Sequence, residues 1–174
     1  YDGRFATVFL EPKPACDSTL ATYVRTNPTP TLLAIAHIRQ RTLGGTGLAN
    51  THPFKRVLWG RDFVFAHNGT LPDVRRRPLD AFTPVGDTDS EHAFCWMLDR
   101  LRAAFPGGYP HDAPERLTQV IAELGGELGA EGTFNFLLGD GQHLFARCGT
   151  RLCYNVRQAP FGRATLKDSD VQVD

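Results

Sequence analysis

Apolar positions along the chain change their period several times, and each change marks an element. Residues 6–10 form an apolar run closed by Pro12 and Pro14, which predicts a strand. Residues 18–26 predict a short helix stopped by Asn27-Pro28-Thr29-Pro30. Residues 32–39 are almost continuously apolar until His37 and Arg39, the pattern of a buried central strand with a polar end. Residues 43–53, rich in Gly, Thr and Asn, read as a functional loop. Two further strands are expected at 54–59 and 63–66, around the turn Gly60-Arg61-Asp62.

Helical spacing then takes over. Thr88-Asp89-Ser90-Glu91 fits a capping box ahead of Phe94, Met97, Leu98, Leu101 and Phe105, and Pro106-Gly107-Gly108 ends that helix. A second helix starts near Asp112, with Pro114 in its first turn and a stripe of Leu117, Val120, Ile121, Leu124 and Leu128. Strands at 133–139 and 142–148 flank Asp140-Gly141, a two-residue hairpin signal, and another strand is expected at 152–157. Strands, two consecutive helices and strands again favour an α+β fold over alternating βαβ units.

Composition narrows the function classes. The 174 residues suffice for one domain with a substantial core, and 41% hydrophobic with 22% charged residues is an ordinary soluble composition. Nineteen basic residues balance nineteen acidic ones, so no overall field recruits nucleic acid or an anionic membrane. Arg75-Arg76-Arg77 reads as a solvated loop rather than a phosphate grip. No apolar stretch approaches the ~20 residues of a membrane span. Cys16, Cys95, Cys148 and Cys153 form no C-x-x-C pair, and a reduced set in a cytoplasmic protein is expected. The chain begins at Tyr1 and ends in the alternation Val171-Gln172-Val173-Asp174, as expected of a single domain, 1–174, truncated at both ends.

Three polar islands carry the candidate chemistry. Arg39 offers a planar fork for a carboxylate, with a salt bridge to Asp87 or Asp89 as the structural alternative. Asn68-Gly69 is locally the signal of a type I′ turn, yet Leu71-Pro72 do not resume a strand. An Asn amide beside a Gly N–H also makes an oxyanion hole. Asp89 offers an anion for an ammonium group, or simply favours a helix N-terminus. His37, His52 and His67 lie near these islands, but no metal-ligand spacing joins them, so no metal is expected.

In their order and spacing these islands resemble the class II glutamine amidotransferases, of the N-terminal-nucleophile hydrolase superfamily. The resemblance is strongest to the stand-alone bacterial branch, which is similar to γ-glutamyl hydrolases of thiol metabolism. It runs through Ala36-His37-Ile38-Arg39, Asn50-Thr51-His52-Pro53-Phe54, Leu58-Trp59-Gly60-Arg61 and Phe65-Ala66-His67-Asn68-Gly69. It continues through residues 86–96, then Ala159-Pro160-Phe161-Gly162 and Ala164-Thr165-Leu166. The resemblance implies a partial four-layer αββα sandwich. It also implies hydrolysis of the side-chain amide of glutamine or a γ-glutamyl compound, through a γ-glutamyl thioester. Arg39, helped by Thr42, would hold the α-carboxylate, Asp89 the α-ammonium, and Asn68 with Gly69 the oxyanion. In place of a simple turn, Asn68-Gly69 then becomes part of a site.

The family's nucleophile is an N-terminal cysteine whose own α-amino group serves as base. Tyr1 is no such residue, and no cysteine of this chain replaces it, so the fragment alone is expected to be inactive. No cofactor is expected. The expected partner is a small molecule, with a homodimer as one candidate assembly and no nucleic acid or membrane. Rival readings are a non-catalytic amino-acid-binding module and a metal hydrolase built on His37, His52 and His67.

Overall fold

A computed structural model describes residues 1–13, 17–27, 29–38, 47–149 and 151–160, with the backbone at 164–165 and 172–173. Arg39, Thr42 and Cys16 lie outside the described residues. Four antiparallel strands form one sheet in the order β1 (Phe54–Leu58), β2 (Arg61–Thr70), β3 (Thr133–Gly139) and β4 (Leu144–Arg147). A short antiparallel pair, β5 (Ala164–Thr165) and β6 (Gln172–Val173), stands apart from it in the hydrogen-bond topology. The helices are α1 (Thr19–Thr26), α2 (Asp89–Ala104) and α3 (Pro114–Gly129).

Local chemistry explains where these elements start. Ser18 caps α1 by accepting the Ala21 N–H at 2.9 Å, Thr88 caps α2 by accepting the Glu91 N–H at 3.1 Å, and Pro114 opens α3 where no donor is lost. The β1–β2 turn is Trp59-Gly60, because Leu58 pairs with Arg61. Both residues have positive φ, 55° and 69°, as a type I′ turn requires. The Trp59 ring compensates for this backbone by packing edge-on to Phe63, Phe105 and Tyr109.

Alternation along the strands divides the sheet into two faces. Phe63 and Phe65 of β2 and Phe134, Phe136 and Leu138 of β3 face the helices, where they join Phe94, Met97, Leu98 and Leu101 of α2 and the buried stripe of α3. On the other face the Tyr1 ring and Leu33 lie over Gly139, and the Tyr1 hydroxyl donates to the Gly139 carbonyl at 2.7 Å. Among the described residues no helix is long and apolar enough to cross a membrane.

Three expected strands do not form ladders among the described residues. Residues 6–10 are tied instead to the sheet through Ala6 N–H, which donates to the Asp62 carboxylate at 2.8 Å. The run from 32 to 38 is an extended cover, with Leu32 and Ile38 at 107% and 81% exposure rather than at a sheet centre. Its Leu33 carbonyl accepts the Tyr1 ammonium at 3.2 Å. Residues 152–157 likewise join no sheet, and Tyr154 and Val156 are exposed. An apolar run reports burial or extension, and neither supplies a hydrogen-bonding neighbour.

Candidate active site

Asn68 and Gly69 are not a turn. They lie inside β2, opposite Asn135 and Phe134 of β3. Alternation places the Asn68 side chain on the face away from the helices, with Val64 and Ala66, and Asn68 is exposed. Gly69 belongs to the helix-facing set but has no room for a side chain. A Cβ there would stand 1.8 Å from the Thr133 carbonyl oxygen and 2.7 Å from His67 Nε2.

The edge of β2 beyond the end of β1 gathers the remaining groups. In a strand, the N–H and C=O of alternate residues leave on the same edge. The His67 carbonyl accepts from His37 Nε2 at 3.1 Å, on the side away from β3. The Gly69 N–H therefore leaves on that edge too. Two residues further on, the Leu71 N–H donates to Asp89 Oδ2 at 2.8 Å. The two amides are about 7 Å apart along an extended backbone, the rise of two residues, and the Asp89 carboxylate sits on the second.

Asp89 reaches this position because it opens α2, and its Oδ1 also accepts the Ser90 N–H at 2.9 Å. The two backbone N–H groups take two of the roughly four acceptor positions of the carboxylate, and the Ser90 hydroxyl lies 3.4 Å from Oδ1, leaving capacity for an ammonium group on Oδ2. The other acids of the island have structural work. Glu91, 1% exposed, accepts from Arg56 at 2.5 Å, Val85 N–H at 3.0 Å and Gly86 N–H at 2.7 Å, so its side chain braces the preceding loop rather than closing a full capping box. The Asp87 carboxylate takes the Asn50 amide at 2.6 Å, while Asn50 Oδ1 accepts the Asp87 N–H at 3.0 Å. A Cβ on Gly86 would lie 2.2 Å from that same Asn50 oxygen.

His37, His52 and His67 do not converge on one point. The His37 and His52 rings stack with centroids 4.3 Å apart, and among the described residues no group of three His, Cys, Asp or Glu could hold a metal. Both nitrogens of His67 are engaged, Nδ1 with Ser90 Oγ at 2.8 Å and Nε2 with the Thr133 carbonyl at 3.2 Å. Burial holds the His67 pKa below the usual imidazole value. Ser90 and Asn50 are the residues the sequence did not single out. Their signals were a hydroxyl next to Asp89 and an Asn opening the motif Asn50-Thr51-His52-Pro53-Phe54, neither with a role assigned.

A family model described as glutamine amidotransferases class-II matches residues 1–174. The chain belongs to the class II glutamine amidotransferase family. It is 43% identical over 177 residues to the Escherichia coli "Putative glutamine amidotransferase YafJ", matching 100% of this chain and 68% of that protein. It is 37% identical to a Haemophilus influenzae "Putative glutamine amidotransferase", over 100% of this chain and 58% of that protein. The 2.0 Å crystal structure of a "predicted glutamine amidotransferase" from Pseudomonas aeruginosa superposes with a TM-score of 0.64 at 48% identity, covering 72% of this chain and 48% of the other. The chain thus spans between 48% and 68% of the length of these proteins.

Among the described thiols, burial argues against Cys95 as a nucleophile. Cys95 is fully buried on α2, and burial pushes its pKa up to about 11. Cys153 is exposed and free, so it is not bridged to Cys148. The arginine run is also not simply solvated. Arg76 pairs with Asp73, whereas Arg77 is 16% exposed, binds Glu127 and Glu131 of α3 and stacks 4.2 Å over Trp96.

Proposed function

We propose that the protein hydrolyses the side-chain amide of glutamine or of a small γ-glutamyl compound. Asp89 binds the α-ammonium, and Arg39 with Thr42 binds the α-carboxylate. The Asn68 amide and the Gly69 N–H stabilise the oxyanion formed when a thiolate attacks the side-chain carbonyl. The attacking thiol belongs to an N-terminal cysteine outside these 174 residues. It forms a γ-glutamyl thioester and expels ammonia or an amine, and water then releases the acid. The sheet with its helical layer is one half of an αββα sandwich, and the chain is one incomplete domain of a cytoplasmic enzyme.

The observation that supports this reading is the bond from the Leu71 N–H, just beyond β2, to Asp89, two residues past the Gly69 N–H that alternation places on the free edge of β2. A carbonyl-polarising donor and an anion at that spacing suit a molecule with an amide at one end and an ammonium at the other. Family membership independently supports glutamine chemistry. The full-length protein, incubated with glutamine and with γ-glutamyl amides, should release ammonia or amine, and alkylation of its N-terminal cysteine should abolish release. Binding of glutamine without any release would instead favour an amino-acid-binding module.

A further inference from the structure

We infer that His67 and Ser90 are positioning residues, a strut that sets the oxyanion donors of β2 against the carboxylate of Asp89. The inference rests on the amide-hydrolysis reading and adds a pair outside the groups that touch substrate. His67 immediately precedes Asn68, and its ring is buried on the helix face beside Phe134, with centroids 5.0 Å apart. A carbonyl oxygen only accepts, so the 3.2 Å contact with Thr133 puts the ring proton on Nε2. In the neutral ring Nδ1 is then an acceptor, and the single Ser90 hydroxyl proton goes to it at 2.8 Å rather than to Asp89 Oδ1 at 3.4 Å.

One imidazole therefore joins β3, β2 and the first turn of α2. Its two ends act on the two halves of the site. The Nε2 end holds the Thr133 carbonyl, the atom that leaves Gly69 no room for a Cβ. The Nδ1 end holds Ser90, whose neighbour Asp89 is tied in turn to Leu71. Among the described residues, the bond from the Leu71 N–H to Asp89 is the hydrogen bond that joins the end of β2 to the first turn of α2 besides the strut. Burial, which opposes protonation of the ring, keeps Nδ1 an acceptor.

The test uses the full-length protein with Ser90→Ala, Ser90→Thr and His67→Phe, the last keeping an aromatic ring among Phe65 and Phe134. Active sites are counted with a glutamine analogue carrying an electrophilic group in place of the side-chain amide, so that misfolded enzyme is not scored. Ser90→Ala and His67→Phe should each lower kcat per titrated site by about 10–100-fold with KM within about twofold, the signature of misplacement rather than lost binding. Ser90→Thr, which keeps the hydroxyl, should restore most of the rate. Unchanged kcat per titrated site in Ser90→Ala would overturn the inference and leave the pair a packing contact. Long-range 1H–15N spectra of the His67 ring should show the Nε2–H tautomer at neutral pH; an Nδ1–H tautomer or an imidazolium overturns the strut. Absence of amide hydrolysis in the unmodified protein removes the functional reading itself, and the ring spectrum then decides the strut separately.

Discussion

Asp89 accepts the backbone N–H of Leu71 at 2.8 Å, and this one bond fixes the first residue of α2 to the end of β2. It makes Asp89 both a structural clamp and an anion at the strand edge, and the two roles separate chemically. Asp89→Asn keeps a carbonyl oxygen for Leu71 but loses the charge. The variant should still fold, at a modest cost because its NH2 faces the Ser90 N–H that Oδ1 accepts, while KM for glutamine in the full-length protein rises roughly 10–100-fold, as expected for a hydrogen bond to a charged group. An unchanged KM would leave Asp89 only the clamp.

Gly69 is the position where a side chain is least tolerated at the site. Gly69→Ala forces a methyl to within 1.8 Å of the Thr133 oxygen, so β2 and β3 must separate locally. A loss of about 1–3 kcal/mol in urea unfolding is expected, as for overpacked cores. Gly107→Ala, at a glycine with nothing within 4 Å of its Cβ position, is the control and should be near neutral. Equal stabilities for the two variants would contradict the close approach.

Glu91 satisfies three donors from a nearly fully buried position. Glu91→Ala leaves two loop amides without their acceptor and the Arg56 guanidinium without its carboxylate, with the Lys55 and Thr83 carbonyls left to receive it. Destabilisation of about 3–5 kcal/mol is expected from breaking such a buried pair on one side. Denaturant titration showing less than 1 kcal/mol, about the worth of a surface pair, would place Glu91 in solvent instead.

Asp140 makes stability depend on pH at the far end of the sheet. Burial pushes its pKa up, but the Tyr109 hydroxyl, the His143 and Gln142 amides and the His143 ring outweigh that and hold it below the ordinary carboxylate value. The stability it contributes is present above the unfolded-state pKa and lost as pH falls through the lower folded-state pKa. Asp140→Asn should therefore be less stable near neutrality by about 1–3 kcal/mol. It should also lose less stability than the unmodified chain between about pH 5 and pH 2. Parallel curves for the two proteins would show that Asp140 titrates alike folded and unfolded.

The parts of this fold written in short-range spacing were legible. The Thr88 cap, the Pro114 start and the apolar stripes of α2 and α3 all depend on residues three or four apart, and the structure has them. Asn68-Gly69 and Trp59-Gly60 show where local reading fails. The stronger turn dipeptide sits inside a ten-residue strand, and a tryptophan occupies the type I′ turn because its ring packs against Phe63, Phe105 and Tyr109. The run at 32–38 misled for the opposite reason, since cover segments and central strands share the same apolar pattern.

The candidate site was read from the sequence as residue types and not as geometry. Order and spacing of the islands picked out Asn68, Gly69 and Asp89, but their placement depends on pairing with β3. The contact between His67 and Thr133 spans 66 residues, and no local spacing encodes it. For the same reason Ser90 looked like one more capping residue. Arg39 and Thr42 lie outside the described residues, so the carboxylate end of the site rests on the sequence alone.

Steady-state and single-turnover kinetics of Asn68→Ala in the full-length protein test the central claim most directly. Removing one oxyanion donor should lower the rate of thioester formation by about 10²–10³-fold while the dissociation constant for glutamine stays unchanged. A variant that forms the thioester at the normal rate, or that loses glutamine affinity instead of rate, would contradict the account.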